Sequence, residues 1–129
     1  MNETGLVTVS SKYSAAETLE RLQAAIRSAG MKVFSFIDHA AAAKEVGLTL
    51  RPTVVIAFGN PAAGTKLMLA DQVAGIDLPL KILVWEDQAG VAKITYNDPN
   101  WLAERHSLGA ETATPIAAMT KLLASLANN

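Results

Sequence analysis

Lys81-Ile82-Leu83-Val84-Trp85-Glu86-Asp87, then Gln88-Ala89-Gly90, then Val91-Ala92-Lys93-Ile94-Thr95-Tyr96-Asn97 is the stretch that decides the fold. Two strand-like runs around a short glycine-containing loop are a hairpin signal. A hairpin pairs its strands antiparallel, so this unit cannot extend a purely parallel sheet. The chain before it alternates strand and helix, as an α/β protein does. The hairpin therefore turns the expectation to α+β.

Upstream, Thr53 to Phe58 (T-V-V-I-A-F) is apolar on both alternations. That pattern suits a central strand covered on both faces, or on one face plus an interface. Gly59-Asn60-Pro61 follows as a strand-to-helix corner, with Asn60 a good N-cap and Pro61 suited to the first helical position. A helix over 61–72 is expected, weakened by Gly64 and ended before Asp77-Leu78-Pro79. Further upstream, Met31 to Asp38 reads as a strand, and Ala40 to Ala43 as a short helix starting near Asp38. Ser14 and Glu17 have capping-box spacing, Leu19, Leu22 and Ile26 follow at helical spacing, and Gly30 is a good stop. Gly5 to Ser10 is a first strand.

Downstream, Asp98-Pro99 opens a short helix to about Arg105. Thr114-Pro115 starts a last helix with Ile116, Met119, Leu122, Leu123 and Leu126 on one face. The order is β-α-β-α-β-α-β-β-α-α. The expected fold is α+β: a single domain over 1–129, built as a two-layer sandwich. Its sheet should have about five strands and be mixed but mostly antiparallel, with helices packed on it.

Composition narrows the function classes. The 129 residues carry a formal net charge of −1, so no global basic field recruits nucleic acid or anionic membrane. Without cysteine there is no disulfide framework, Cys-type zinc site or thiol nucleophile. Residues 1–10 lack the basic and apolar regions of a signal peptide, and no apolar run approaches a membrane span. A cytoplasmic protein without a membrane partner is expected. Half of the residues are hydrophobic, but 23 alanines make up much of that content. Alanine favours helix and buries little area per residue. Composition alone therefore does not argue for a dimer.

Candidate chemistry gathers at strand-to-helix corners. Gly59 to Lys66 (G-N-P-A-A-G-T-K) nearly matches a phosphate loop, but Thr65 stands at the lysine position and Lys66 at the hydroxyl position. Pro61 also removes a backbone donor. What survives is a helix N-terminus, with Asn60 and Thr65, able to take a small anion. At Asp38-His39 the histidine is a candidate acid, base or ligand, although Asp38 as a simple N-cap explains the pair equally. His106 reads as part of a solvated helix end. The histidines and carboxylates lack metal-ligand spacing, no G-x-S-x-G elbow occurs, and adjacent Glu86 and Asp87 do not make an acid/base dyad. No cofactor or metal is implied. Trp85, Tyr96 and Trp101 read as core, with Trp85 and Tyr96 as cross-strand neighbours.

Four pieces together resemble a known family. They are I-D-H-A-A-A-A-K-E-V-G-L from Ile37, F-G-N-P-A-A-G-T from Phe58, L-P-L-K-I-L-V-W-E-D from Leu78, and Tyr96-Asn97-Asp98-Pro99. In this order they resemble the uncharacterised bacterial and archaeal family called domain of unknown function 302, over the full chain. The resemblance implies a compact α+β domain with helices on a curved, largely antiparallel sheet, and it implies homodimers. It brings no established activity. Its recurring polar positions fall on Asp38, His39, Asn60, Pro61, Thr65, Lys81 and Asp98.

These features point to a homodimeric binding module for a small molecule, an anion being one option. Its ligand-binding candidates are Asp38, His39, Asn60, Thr65, Lys81 and Asp98, in a cleft between the Asp38-His39 corner and the Asn60 helix. The alternatives are an enzyme using His39 as acid/base with Asp38 or Asp98 as orienter, and a structural or interaction protein.

Overall fold

Short-range chemistry sets most element boundaries in the computed structural model, which describes residues 3–128. The elements are β1 (Leu6–Ser10), α1 (Ala15–Ser28), β2 (Lys32–Asp38), α2 (His39–Glu45), β3 (Thr53–Gly59), α3 (Pro61–Ala70), β4 (Leu80–Glu86), β5 (Ala92–Asn97), α4 (Pro99–Arg105) and α5 (Ala113–Ala127). Four helices begin on a side-chain cap that accepts a backbone N–H: Ser14 from Glu17, Asp38 from Ala41, Asn60 from Ala62 and Asp98 from Asn100. Each cap satisfies a donor that the helix itself leaves unpaired. A 3-10 segment over Gln72–Asp77 replaces the loop expected after α3. Asp71 starts it by accepting from the Val73 N–H at 3.0 Å, a short-range bond that apolar periodicity does not signal.

The five strands form one sheet in the order β1-β5-β4-β3-β2. The α+β architecture is as expected, but the parallel pair that a mixed sheet needs is not formed. All four pairings are antiparallel. The reason lies in α1. Rather than placing β2 beside β1, it carries the chain to the opposite edge of the sheet. At 1.5 Å per residue α1 is about 21 Å long, comparable to the roughly 19 Å across four strand spacings. After α2 and after α3 the chain returns beside the strand it has just left, as a hairpin with a helical connection would.

One face of the sheet is covered. Leu22 and Ile26 of α1 and Ile116, Met119, Leu123 and Leu126 of α5 pack on Val54, Ile56, Phe58, Leu80, Ile82, Val84 and Ile94. The opposite face, with Val55, Leu83, Trp85 and Thr95, has no helical layer and is half-buried. This is the second apolar alternation of the 53–58 stretch. Trp85 is opposite Lys93, and Tyr96 is opposite Ile82. The expected Trp85–Tyr96 pair is thus replaced, because the two rings belong to opposite faces. Trp85 instead donates its indole N–H to Thr95 Oγ1 at 2.9 Å.

His106 corrects another expectation. Only 7% of its side chain is exposed, and its Nε2 lies 2.6 Å from Asp77 Oδ2. Arg105 Nη1 donates to both Asp77 oxygens at 3.1 Å. The cluster ties the end of α4 to the 3-10 segment across 29 positions of sequence, a separation that local spacing cannot reveal. Asp77→Ala leaves two nearby donors without their acceptor. It is expected to cost about 1–3 kcal/mol, read as a lower urea midpoint. A loss of a few tenths would show that the cluster is solvated in solution.

Candidate functional site

The strand register separates the two corners that the sequence reading placed in one cleft. Lys32 pairs with Gly59 and Asp38 with Val54, so β2 and β3 run their full length between the Asn60 corner and the Asp38 corner. At about 3.4 Å per residue the corners lie roughly 20 Å apart. A single cleft holding both does not exist.

A cavity of about 460 Å³ lies at the Asn60 end. That volume suits a small molecule. Its walls come from the start of α3, the 3-10 segment, the start of β4 and the first half of α5, with Phe34 of β2 also lining it. Small residues keep the space clear: Ala29, Gly59, Ala63, Gly64, Gly75 and Ala118 all line it. Met31, Met68 and Met119 supply adaptable apolar surface. Asn60 and Thr65 are the polar side chains on the wall, and no charged residue lines it. The Leu78–Pro79 peptide, on the same wall, is cis. Leu67 is the buried residue of α3, so that wall is anchored largely through one side chain. Beside it, Leu69, Val73 and Ile76 are strongly exposed.

Asn60, which lines the cavity, uses Oδ1 to cap Ala62 at 2.9 Å, and that cap does not engage its Nδ2 donor. Thr65 Oγ1 donates to Pro61 O at 2.7 Å and is mainly engaged with its own helix. The other candidates lie elsewhere. Asp38 caps α2 and borders a second hollow of about 610 Å³ between α1 and α2. His39 is exposed, lines neither hollow and has no carboxylate partner among the described residues. The concave, hydrogen-bonded setting that an acid/base histidine needs is therefore absent. Lys81 is exposed on the open face opposite Ala57. Asp98 caps α4 and accepts from Asn100 N and Nδ2 at 2.9 and 3.0 Å. Asn60 and Thr65 are thus brought together, and the remaining four are not.

Sequence reading missed the methionines and small residues that build the cavity. Their signal was visible only as low side-chain volume on α3 and α5, which reads equally well as helix-favouring composition. No group of three or more histidines, cysteines or carboxylates suited to a metal occurs among the described residues.

Among the described residues, Tyr96 has a raised pKa and lies outside the cavity. Partial burial pushes the Tyr96 phenol above its usual value of 10.0, and the Asp98 carboxylate adds to the rise. A raised phenol pKa favours the folded state below the unfolded value and is lost as pH rises through the folded one. Stability should therefore fall above pH 10.0. Tyr96→Phe should flatten that alkaline limb of a pH–Tm profile, and an unchanged limb would reject the assignment.

Among relatives, a protein of Brucella suis named fluoride-specific ion channel FluC 1 is 53% identical over 117 residues, covering 91% of this chain and 46% of that protein. Fluoride-specific ion channel FluC 1 of Brucella abortus matches at the same identity over 43% of its length. The chain thus spans less than half of the relatives it matches. No described helix is long and apolar enough to cross a membrane. The crystal structure of an uncharacterised conserved DUF302 protein from Bacillus stearothermophilus superimposes with a TM-score of 0.83 at 25% identity, covering 95% of each chain. The model of the family described as domain of unknown function DUF302 matches residues 7–126, and the chain belongs to that family.

Proposed function

We propose that the domain is a cytoplasmic, homodimeric binding module for a small amphipathic molecule. The supporting observation is the 460 Å³ cavity with an apolar wall and one available side-chain donor, Asn60 Nδ2, at the start of α3. An apolar body would fill the space between α3 and α5. A polar or anionic head would meet Asn60 and the N-terminal end of α3, whose partial positive charge favours it. Of the small molecules expected from sequence, an amphipathic one is favoured over a simple anion, because no cation lines the wall.

Titration with a dansyl-labelled medium-chain fatty acid tests this reading. Saturable binding is expected. Ala63→Trp, which fills the cavity from α3, should weaken it at least about tenfold. Asn60→Ala should weaken it severalfold, as loss of one hydrogen bond of about 1 kcal/mol does. Absence of saturable binding, or equal affinity in the Ala63→Trp protein, would sink the proposal.

The relatives' names favour a second reading, in which the module serves alongside a fluoride-specific ion channel. Fluoride would then be the ligand. Millimolar sodium fluoride should raise Tm relative to sodium chloride under that reading, and equal Tm values would reject it.

A further inference from the structure

We propose that β2 is the contact with a second copy of this chain, paired antiparallel about Ser35, and that the partner completes the cavity. This rests on the binding-module reading above and names the missing wall of the same site.

β2 is a terminal strand of the sheet, and every one of its residues is exposed. Val33, Phe34, Phe36 and Ile37 are 39%, 45%, 45% and 46% exposed. Together they present apolar surface on the order of 350 Å². An edge strand of this kind is an open template for pairing, and its protection here is one bulge between Val33 and Ser35 and one lysine. A standard interface takes about 800 Å² from each partner, so the strand can supply its apolar centre, with flanking polar residues as the rim.

The sequence of the strand says which occupant fits. Lys32-Val33-Phe34-Ser35-Phe36-Ile37-Asp38 is symmetric in chemistry about Ser35. A two-fold axis there sets Ser35 against the partner's Ser35 and Phe34 against the partner's Phe36. It also brings Lys32 to the end of the strand that holds the partner's Asp38. Opposite charges meet at both ends, as an isologous contact requires. Phe36 stands opposite the core residue Ile56, and Phe34 borders the cavity, so both rings are on the helical side of the sheet. The bulge turns Lys32 toward the other face. Yet its Nζ lies 5.0 Å from the centre of the Phe34 ring, back on the side of Asp38. Asp38 caps α2 with Oδ1 and keeps Oδ2 for a partner.

Phe34 is the link to function, because it lies on the edge strand, is 45% exposed and also lines the cavity. In the pair, the partner's Phe36 packs on this ring beside the cavity. Phe36 does not line the cavity of its own chain. An effect of Phe36 on ligand affinity is therefore expected through the second copy rather than through the cavity wall of its own chain.

The chain has no cysteine, so Ser35→Cys introduces a single thiol. Directly opposed residues of antiparallel strands lie about 4.5–5.5 Å apart at Cα, within disulfide reach. Mild oxidation of Ser35→Cys should give a covalent dimer, while Gln88→Cys on the exposed hairpin loop should not. Sedimentation should show a dimer for the parent chain at micromolar concentration and a monomer for Phe36→Lys. The monomer should bind the dansyl fatty acid severalfold more weakly. Three results would overturn the proposal: a monomeric parent chain, cross-linking of Ser35→Cys no faster than of Gln88→Cys, or unchanged probe affinity in the Phe36→Lys monomer. A Ser35-linked dimer that binds no probe would instead leave the interface standing and reject the ligand reading.

Discussion

Phe58→Ala is expected to lower the stability of the domain by about 3–5 kcal/mol. The ring is fully buried, at the C-terminal end of β3, and pairs across the sheet with Leu80. It belongs to the core that joins the sheet to α1 and α5. Truncation removes the transfer energy of the ring and leaves a void that a strand held between β2 and β4 cannot close. A domain of this size has only about 5–15 kcal/mol in hand, so the variant should unfold at a much lower urea concentration. The next two residues, Gly59 and Asn60, line the cavity. Probe affinity should therefore change along with stability. A loss below about 1 kcal/mol in equilibrium unfolding would show that the β3 end is not packed as described.

Gly5→Ala should cost about 2–4 kcal/mol, although it adds only one methyl group. Gly5 has φ of +71°, a left-handed conformation that side chains rarely adopt, and a Cβ built there overlaps the ring of Trp101. Its carbonyl also accepts the Asp98 N–H at 2.8 Å, so the entry to β1 and the start of α4 are locked together. Gly30 separates the two contributions. It has nearly the same φ, +73°, but nothing lies within 4 Å of its hypothetical Cβ. Gly30→Ala should therefore show only the backbone penalty, about 1 kcal/mol. The difference between the two variants measures the Trp101 contact. Equal losses would mean that the Trp101 ring moves aside freely.

The parts legible in sequence are those whose causes are short in sequence. Ser14, Asp38, Asn60 and Asp98 could be read as caps because each bonds to an N–H two or three positions on. The 81–97 hairpin could be read because Gly90, at φ of +81°, and the Asp87 turn bonds lie inside the loop. The same local role explains why several candidate site residues carry no shared chemistry. Asp38 and Asp98 hold helix ends where the chain turns, and His39 and Lys81 are exposed.

The sequence by itself determined the α+β class, the elements and their caps, and the family, because periodicity and capping act over a few residues. Only the tertiary structure decided the strand order, the division of the candidate residues between opposite ends, the Asp77–His106 tie and the cavity. Each of these depends on which distant segments meet. The traverse of α1 from one edge of the sheet to the other sets that, and it leaves β2, apolar and paired on one side only, at the far edge.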